Sequence, residues 1–146
     1  MRFENKYLFF GLETHFFTMK KDKLTLEYAF KNVSMNILWN YISTPSGLET
    51  WFSDKVTVRG TIYTFTWDKN AQEAELLAIR NMSHIRFRWL EDEPENLYFE
   101  FKIHFNELTS DTILEIVEYN YIDEHEDSRT LWDTHTNILK RKLGVM

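Results

Sequence analysis

The sequence predicts an α+β domain in which an antiparallel sheet packs against a long C-terminal helix. Apolar and polar residues alternate in several segments between Leu24 and Tyr119, a pattern typical of strands with one buried face. Two short helical patterns interrupt this alternation between Ser34 and Trp67, and residues 123–144 again show helical spacing. A chain of 146 residues fits one domain.

The two short helices follow one another directly. The first is predicted to begin at Ser34, a favourable N-cap residue. The second begins at Thr44-Pro45, because a proline at the first helical position gives up only an amide hydrogen that would have no partner there. The apolar residues at helical spacing are Met35, Leu38, Trp39, Ile42, Leu48, Trp51 and Phe52. Together these helices lead the chain into a β-hairpin around Gly60.

Strands are predicted wherever the hydrophobic period falls to two. The segments that show this period are residues 24–31, 56–58, 62–67, 71–80, 85–89, 97–105 and 113–119. Short turns join most of them, so consecutive strands should be antiparallel. The first strand has no nearby partner and should pair with a strand far along the chain.

The C-terminal segment has the charge distribution of a helix aligned with its dipole. Acidic residues 123–127 precede it, basic residues 140–142 form its last turn, and Gly144 follows. Asp123 and Glu126 are candidates for a capping pair at its start. A cation site in the acidic run is the alternative interpretation of the same residues.

Composition limits the classes of function. Aromatic residues make up 16% of the chain, with 12 Phe and 7 Tyr, so rings must build either the core or the wall of a ligand chamber. A net charge of −6 argues against binding to nucleic acid or to an anionic membrane surface. The absence of cysteine fits a reducing compartment, and we expect a cytoplasmic protein.

The N-terminal residues 1–18 differ from the rest of the chain. Their apolar runs are short and interrupted by charges, which excludes a signal peptide or a membrane span in this segment. We expect an arm that is disordered or loosely docked, followed by one domain over residues 19–146.

The segment from Trp39 to Phe52, which reads W-x-x-I-S-T-P-S-G-L-x-x-W-F, resembles the START-like superfamily and most closely its AHSA1-type branch, named for activators of the Hsp90 ATPase. The likeness extends from about Leu24 to Leu143. It implies a helix-grip fold, in which a curved antiparallel sheet wraps a long helix and leaves a cavity between them. START-like proteins often hold lipids, hormones or polyketides, so the resemblance implies binding of a hydrophobic small molecule. An Hsp90-cochaperone-like interaction module is the alternative, although such activators carry a further N-terminal domain.

The predicted ligand chamber lies between the C-terminal helix and the sheet. Its candidate residues are Trp132, His135 and Leu139 on the helix and Phe87, Trp89, Phe99, Phe101 and Ile103 on two strands. The alternative for His135 is a histidine at the edge of the core, hydrogen-bonded to a neighbour. If the chamber were catalytic, as in START-like cyclases and aromatases, only His135, Tyr63 and Glu118 could supply an acid or a base.

No motif in the sequence predicts a cofactor or a metal. The four glycines are too scattered for a phosphate-binding loop, and the five histidines show no HxxxH or HExxH spacing. We therefore expect no cofactor, no metal site and no catalytic residue, in a monomer or homodimer that binds a hydrophobic small molecule.

Overall fold

The computed structural model describes residues 20–92 and 96–145, so the predicted arm at residues 1–18 lies outside the described part of the chain. Within these residues one seven-stranded antiparallel sheet packs against three α-helices. The strands are β1 (Lys21–Lys31), β2 (Lys55–Arg59), β3 (Ile62–Trp67), β4 (Asn70–Arg80), β5 (His84–Trp89), β6 (Phe99–Asn106) and β7 (Asp111–Tyr121). The helices are α1 (Met35–Ser43), α2 (Pro45–Trp51) and α3 (His125–Lys142). This is the predicted helix-grip α+β fold.

The order of strands in the sheet is β1-β7-β6-β5-β4-β3-β2. β1 pairs with β7 along its whole length, from Lys21 opposite Tyr121 to Lys31 opposite Asp111. The prediction of a distant partner for the first strand is therefore confirmed. A bulge between Leu76 and Ala78 in β4 shifts the register against β5, and such bulges bend the strand that carries them.

The starts of α1 and α2 agree with the sequence. The Ser34 hydroxyl accepts a hydrogen bond from the Ile37 amide at 3.2 Å, and the Thr44 hydroxyl accepts one from the Gly47 amide at 3.0 Å. Each side chain satisfies a helical amide that has no partner within its own helix.

The predicted capping pair at the start of α3 is wrong, although acidic residues do lie in its first turn. A 3₁₀ turn over Ile122–Glu124 precedes the helix, and its N-cap is Glu124, which makes no side-chain capping bond. The reason is that Glu124 already has helical backbone angles, φ −98° and ψ −8°. An N-cap side chain reaches back to the first amides from an extended backbone, so Asp123 and Glu126 do not form the expected cap.

The other end of α3 is as expected. Gly144 has φ +75°, the left-handed conformation that glycine adopts without cost. The amides of Gly144 and Val145 donate to the carbonyls of Arg141 and Lys140, which is the hydrogen-bond pattern of a Schellman motif.

All three helices cover the same side of the sheet, which we call the helix-facing side. Four phenylalanines have no exposed surface there: Phe30, Phe65, Phe87 and Phe101. The outer side instead carries ion pairs. Arg86 Nε lies 2.8 Å from the buried carboxylate of Glu100, and Arg88 lies 3.5 Å from Glu75.

Candidate functional site

An aromatic cluster occupies the space between the sheet, α2 and α3. Its members are Trp51, Phe52, Tyr63, Phe65, Trp67, Phe87, Trp89, Phe99, Phe101 and Trp132. The ring of Trp132 is stacked on Phe52, with centroids 5.6 Å apart and planes 4° from parallel. Phe101 meets Trp132 edge-on at 5.8 Å. Both arrangements are favourable for aromatic pairs, so these rings stabilise one another in addition to burying apolar surface.

The structure places all eight predicted site residues in the interior, each at most 8% exposed. Trp132 and His135 lie next to each other, with ring centroids 5.9 Å apart, and Phe101 adjoins Trp132. Trp89 packs on Phe99 at 4.6 Å, so other rings separate it from Trp132. The remaining members of the predicted site belong to the same buried core: Phe87, Ile103 and Leu139.

Sequence reasoning left several rings of this cluster out of the site. Tyr63, Phe65 and Trp67 are spaced two residues apart in β3, so the alternation in this strand could have assigned all three to one face. Trp51 and Phe52 end a helix whose orientation the sequence does not define. Their contacts with Trp132 depend on how α2 meets α3, which no local pattern encodes.

His135 is the polar residue at the centre of this arrangement. Its side chain is 6% exposed, and Nδ1 lies 2.9 Å from the carbonyl oxygen of Trp51. Nε2, on the opposite edge of the ring, is buried and has no hydrogen-bond partner among the described residues. Burial lowers the pKa of His135 because it disfavours the charged imidazolium, although the Trp51 carbonyl opposes this effect. The imidazole is therefore neutral at neutral pH.

Three of the tryptophan N–H groups in the cluster donate hydrogen bonds to oxygen atoms. Trp132 Nε1 donates to the carboxylate of Glu118 on β7 at 3.0 Å. Trp51 Nε1 donates to the Tyr41 carbonyl at 2.8 Å, and Trp67 Nε1 donates to the Phe52 carbonyl at 2.7 Å. These bonds fix the ring orientations, because each buried donor would lose its partner if its ring turned.

A concave region lies between β1 and α3 on the molecular surface. It has a volume of about 250 Å³, and the Tyr28 hydroxyl donates to Asp133 across it at 2.8 Å. Burial and the Asp133 carboxylate both raise the pKa of Tyr28. The other lining residues are Thr25, Leu26, Glu27 and Arg129. The sequence did not predict this cleft, because its strand and its helix are brought together only by the fold.

The described residues were also compared with the requirements of a metal site and of a membrane-spanning helix. Within residues 20–92 and 96–145, no group of three or more His, Asp or Glu side chains is placed to hold a metal ion. No helix in this part of the chain is both long and apolar enough to cross a membrane.

Comparison with known proteins places this architecture in a family. Residues 18–145 match the family model described as a START-like superfamily domain. A Bacteroides fragilis protein solved by NMR is 47% identical, with 88% of this chain and 95% of that chain aligned and a TM-score of 0.62. No curated protein sequence matches the chain.

Two more distant structures share the fold. The Aha1 dimer from Colwellia psychrerythraea is 14% identical, with a TM-score of 0.67 over 82% of this chain and 93% of that chain. DynU16, a protein of the dynemicin biosynthetic locus, is 16% identical, with a TM-score of 0.70 over 86% of this chain. The present chain spans about half of DynU16, since 48% of that chain is aligned. The family match over residues 18–145 shows that the chain belongs to the START-like superfamily.

Proposed function

We propose that this protein binds a hydrophobic, aromatic or lipid-like small molecule between the sheet and α3, where Trp132 and His135 meet the aromatic cluster. The START-like superfamily commonly binds hydrophobic ligands, which supports this class of function. The observation that carries the proposal is the buried Nε2 atom of His135, an acceptor without a described partner inside an aromatic environment.

The unpaired Nε2 acceptor of His135 is energetically unfavourable. A buried polar atom without a hydrogen bond costs about 1–3 kcal/mol, so native structures rarely keep one without a reason. Apolar walls with a few convergent polar groups are the usual form of a small-molecule site. His135 supplies the polar group, and Trp132 and Phe52 supply the adjacent rings.

Binding requires some rearrangement of these rings. Phe52 and Trp132 stack directly on each other, so a ligand replaces part of this contact. Phe52 is the C-cap residue of α2, a helix of seven residues, whereas Trp132 lies inside the long helix α3 and is held by Glu118. The end of α2 is therefore the element that we expect to shift when a ligand binds.

Binding is favoured over catalysis by the contacts of the candidate acid and base groups. Glu118 accepts the Trp132 N–H, and His135 Nδ1 is engaged with a main-chain carbonyl. No described hydrogen bond joins His135 to Glu118 or to Tyr63. A cavity enzyme needs a positioned acid or base near the reacting atoms, and the described side chains do not form such a pair.

Native mass spectrometry of freshly purified protein, followed by an NMR titration of stripped protein with naphthalene, tests the proposal. We expect a co-purifying small molecule or saturable naphthalene binding that perturbs the Trp132 indole resonance. Trp132→Phe should weaken naphthalene binding. Tyr98→Phe should not, because Tyr98 lies on the outer side of the sheet, where its ring contacts the Arg86 guanidinium.

Equal effects of the two variants would place binding outside the proposed site. If nothing co-purifies and naphthalene causes no saturable change, small-molecule binding is ruled out for this class of ligand. An interaction module of the cochaperone type would then be the better supported function.

A further inference from the structure

We infer that the ligand is neutral and carries a hydroxyl group that donates a hydrogen bond to His135 Nε2, with its aromatic or apolar body against Trp132 and Phe52. The inference rests on the proposed function and adds the chemical class of the ligand. It depends on the tautomer of one histidine and on the distribution of charge around it.

The tautomer follows from the partner of Nδ1. A carbonyl oxygen only accepts hydrogen bonds, so Nδ1, 2.9 Å from the Trp51 oxygen, must carry the proton. In a neutral imidazole Nε2 is then an acceptor with a free lone pair. A ligand hydroxyl or another neutral donor satisfies this atom, whereas a ligand carbonyl or ether oxygen does not.

The charge on the helix-facing side of the sheet excludes an anion. Among the described strands, the side chains that share a face with Phe87, Phe99 and Phe101 include no lysine or arginine. The charged group on that face nearest to Trp132 is the carboxylate of Glu118, which accepts the indole N–H. As far as the described strands extend, a carboxylate ligand would therefore enter a buried region without a lysine or arginine and close to an existing negative charge.

The cations of α3 do not change this conclusion. At about 100° per residue, Arg129, Lys140 and Arg141 lie more than about 100° around the helix from His135. Lys142 lies only about 20° around the helix from His135, but it is about 10 Å further along the axis and exposed at the end of α3. Arg129 lines the cleft beside β1, and Lys140 lies over the Phe30 ring at 5.5 Å. Protonation of His135 itself would supply a charge, but the burial of the ring disfavours it.

Three probes with the same ring system separate the alternatives: naphthalene, 2-naphthol and 2-naphthoate. Their dissociation constants are measured by NMR titration at pH 7.5, where a phenol of pKa near 10 is neutral and the carboxylic acid is ionised. We expect 2-naphthol to bind about threefold to tenfold more tightly than naphthalene. This ratio corresponds to the net contribution of one hydrogen bond to binding. We expect 2-naphthoate to bind more weakly than naphthalene.

The variant His135→Phe keeps a ring of similar size and removes the acceptor. It should abolish the advantage of 2-naphthol over naphthalene, while Tyr98→Phe on the outer side of the sheet should retain it. The ratio of the 2-naphthol and naphthalene affinities is informative, because a purely structural defect weakens the binding of both probes by the same factor. In the wild-type protein, the ¹⁵N resonance of His135 Nε2 should move with 2-naphthol and not with naphthalene, a measurement that needs no variant.

The failures of the two hypotheses are distinguishable. If naphthalene and 2-naphthol bind equally and the Nε2 resonance does not move, the hydroxyl inference is overturned and hydrophobic binding stands. If 2-naphthoate binds most tightly, the site is an anion site and the inference is again overturned. If none of the three probes binds, the proposed function itself fails, and this inference fails with it.

Discussion

His135 shows which properties of a single residue a sequence can predict. Its spacing from Leu139 placed it on the buried stripe of the C-terminal helix, and it is indeed buried. Its hydrogen bond to Trp51 could not be predicted, because 84 positions separate the two residues in the chain. The tautomer, and with it the chemistry of Nε2, is therefore a product of tertiary structure.

The buried neutral histidine makes stability dependent on pH. Above about pH 6.5 the imidazole is neutral in both the folded and the unfolded state. Because the pKa of His135 is lowered in the folded state, the unfolded state binds the proton first as the pH falls. The free energy of unfolding should then decrease below about pH 6.5, until folded His135 is also protonated.

Urea denaturation of wild type and His135→Phe between pH 7.5 and pH 4.5 measures this dependence. In the variant, the free energy of unfolding should change less steeply with pH. The difference in slope is at most about 1.4 kcal/mol per pH unit for one proton. Asn137→Gln, at an exposed position of the same helix and without an ionisable group, serves as the control and should keep the wild-type slope. Equal slopes in wild type and His135→Phe would show that His135 titrates alike in both states.

Gly60 is the residue on which the hairpin between β2 and β3 depends. It has φ +64°, and a β-carbon built there meets no atom within 4 Å. The cost of Gly60→Val should therefore come from the backbone alone and reach about 1–3 kcal/mol. Thr61→Val, at the second turn position, should cost less, because Thr61 does not have a positive φ. Chemical denaturation of both variants checks this expectation; similar losses would contradict it.

At the scale of elements, the T-P-S-G-L segment is explained by the corner between α1 and α2. Thr44 caps α2, and Pro45 occupies its first turn. Gly47 permits a close approach of the two helices, because a β-carbon there would lie 2.7 Å from Tyr41 Cα and 2.8 Å from Thr44 Oγ1. The sequence predicted from local rules that α2 starts at Thr44-Pro45. It could not predict the role of Gly47, which depends on how α1 and α2 are placed relative to each other.

Gly47→Ala should consequently destabilise the domain even though alanine favours helices. The added methyl group must push α1 and α2 apart, and overpacking of this kind typically costs about 1–3 kcal/mol. The neighbouring exposed position supplies a control, since Ser46→Ala adds no buried atom. Thermal denaturation should give a lower midpoint for Gly47→Ala only. A midpoint equal to that of Ser46→Ala would mean that the corner can relax without loss.

At the scale of the whole molecule, the alternation of residues predicted which strand positions share a face, and the resemblance predicted the arrangement of sheet and helix. Phe87, Phe99 and Phe101 lie on one face because the period of a strand is two. What the alternation did not determine is how α2 and α3 complete the interior. The rings of Phe52 and Trp132 stack on each other there, so the protein's own side chains fill this part of the predicted chamber.

Deletion of residues 1–18 tests whether the domain is complete without its N-terminal arm. The domain pattern begins at Leu24, and the family match begins at residue 18. We expect the truncated protein to fold and its melting midpoint to fall by only a few degrees, equivalent to roughly 1 kcal/mol. Circular dichroism melting of the full-length and truncated chains measures this difference. Failure of the truncated chain to fold would make the arm part of the core.

Trp132→Ala tests how completely the interior is filled. Trp132 is 6% exposed and contacts Phe52, Phe101 and Trp51, so its removal should cost about 3–5 kcal/mol, as in a filled core. A loss below about 1 kcal/mol would instead indicate that the ring borders an open chamber.

Trp132→Ala also allows a test with a small molecule. Removal of an indole ring from a packed interior leaves an apolar space that a molecule of matching shape can enter. Free indole should therefore raise the melting temperature of Trp132→Ala by mass action, and by more than it raises that of the wild type, where the Trp132 ring already fills this space. Tyr98→Ala removes a ring from the outer side of the sheet, where it lies over the half-buried Arg86 side chain, and indole should stabilise it no more than the wild type. A larger shift for Trp132→Ala than for the other two proteins would show that the space between α2, α3 and the sheet accepts a planar aromatic molecule. A wild type that indole stabilises equally would show that this space is already accessible before any ring is removed.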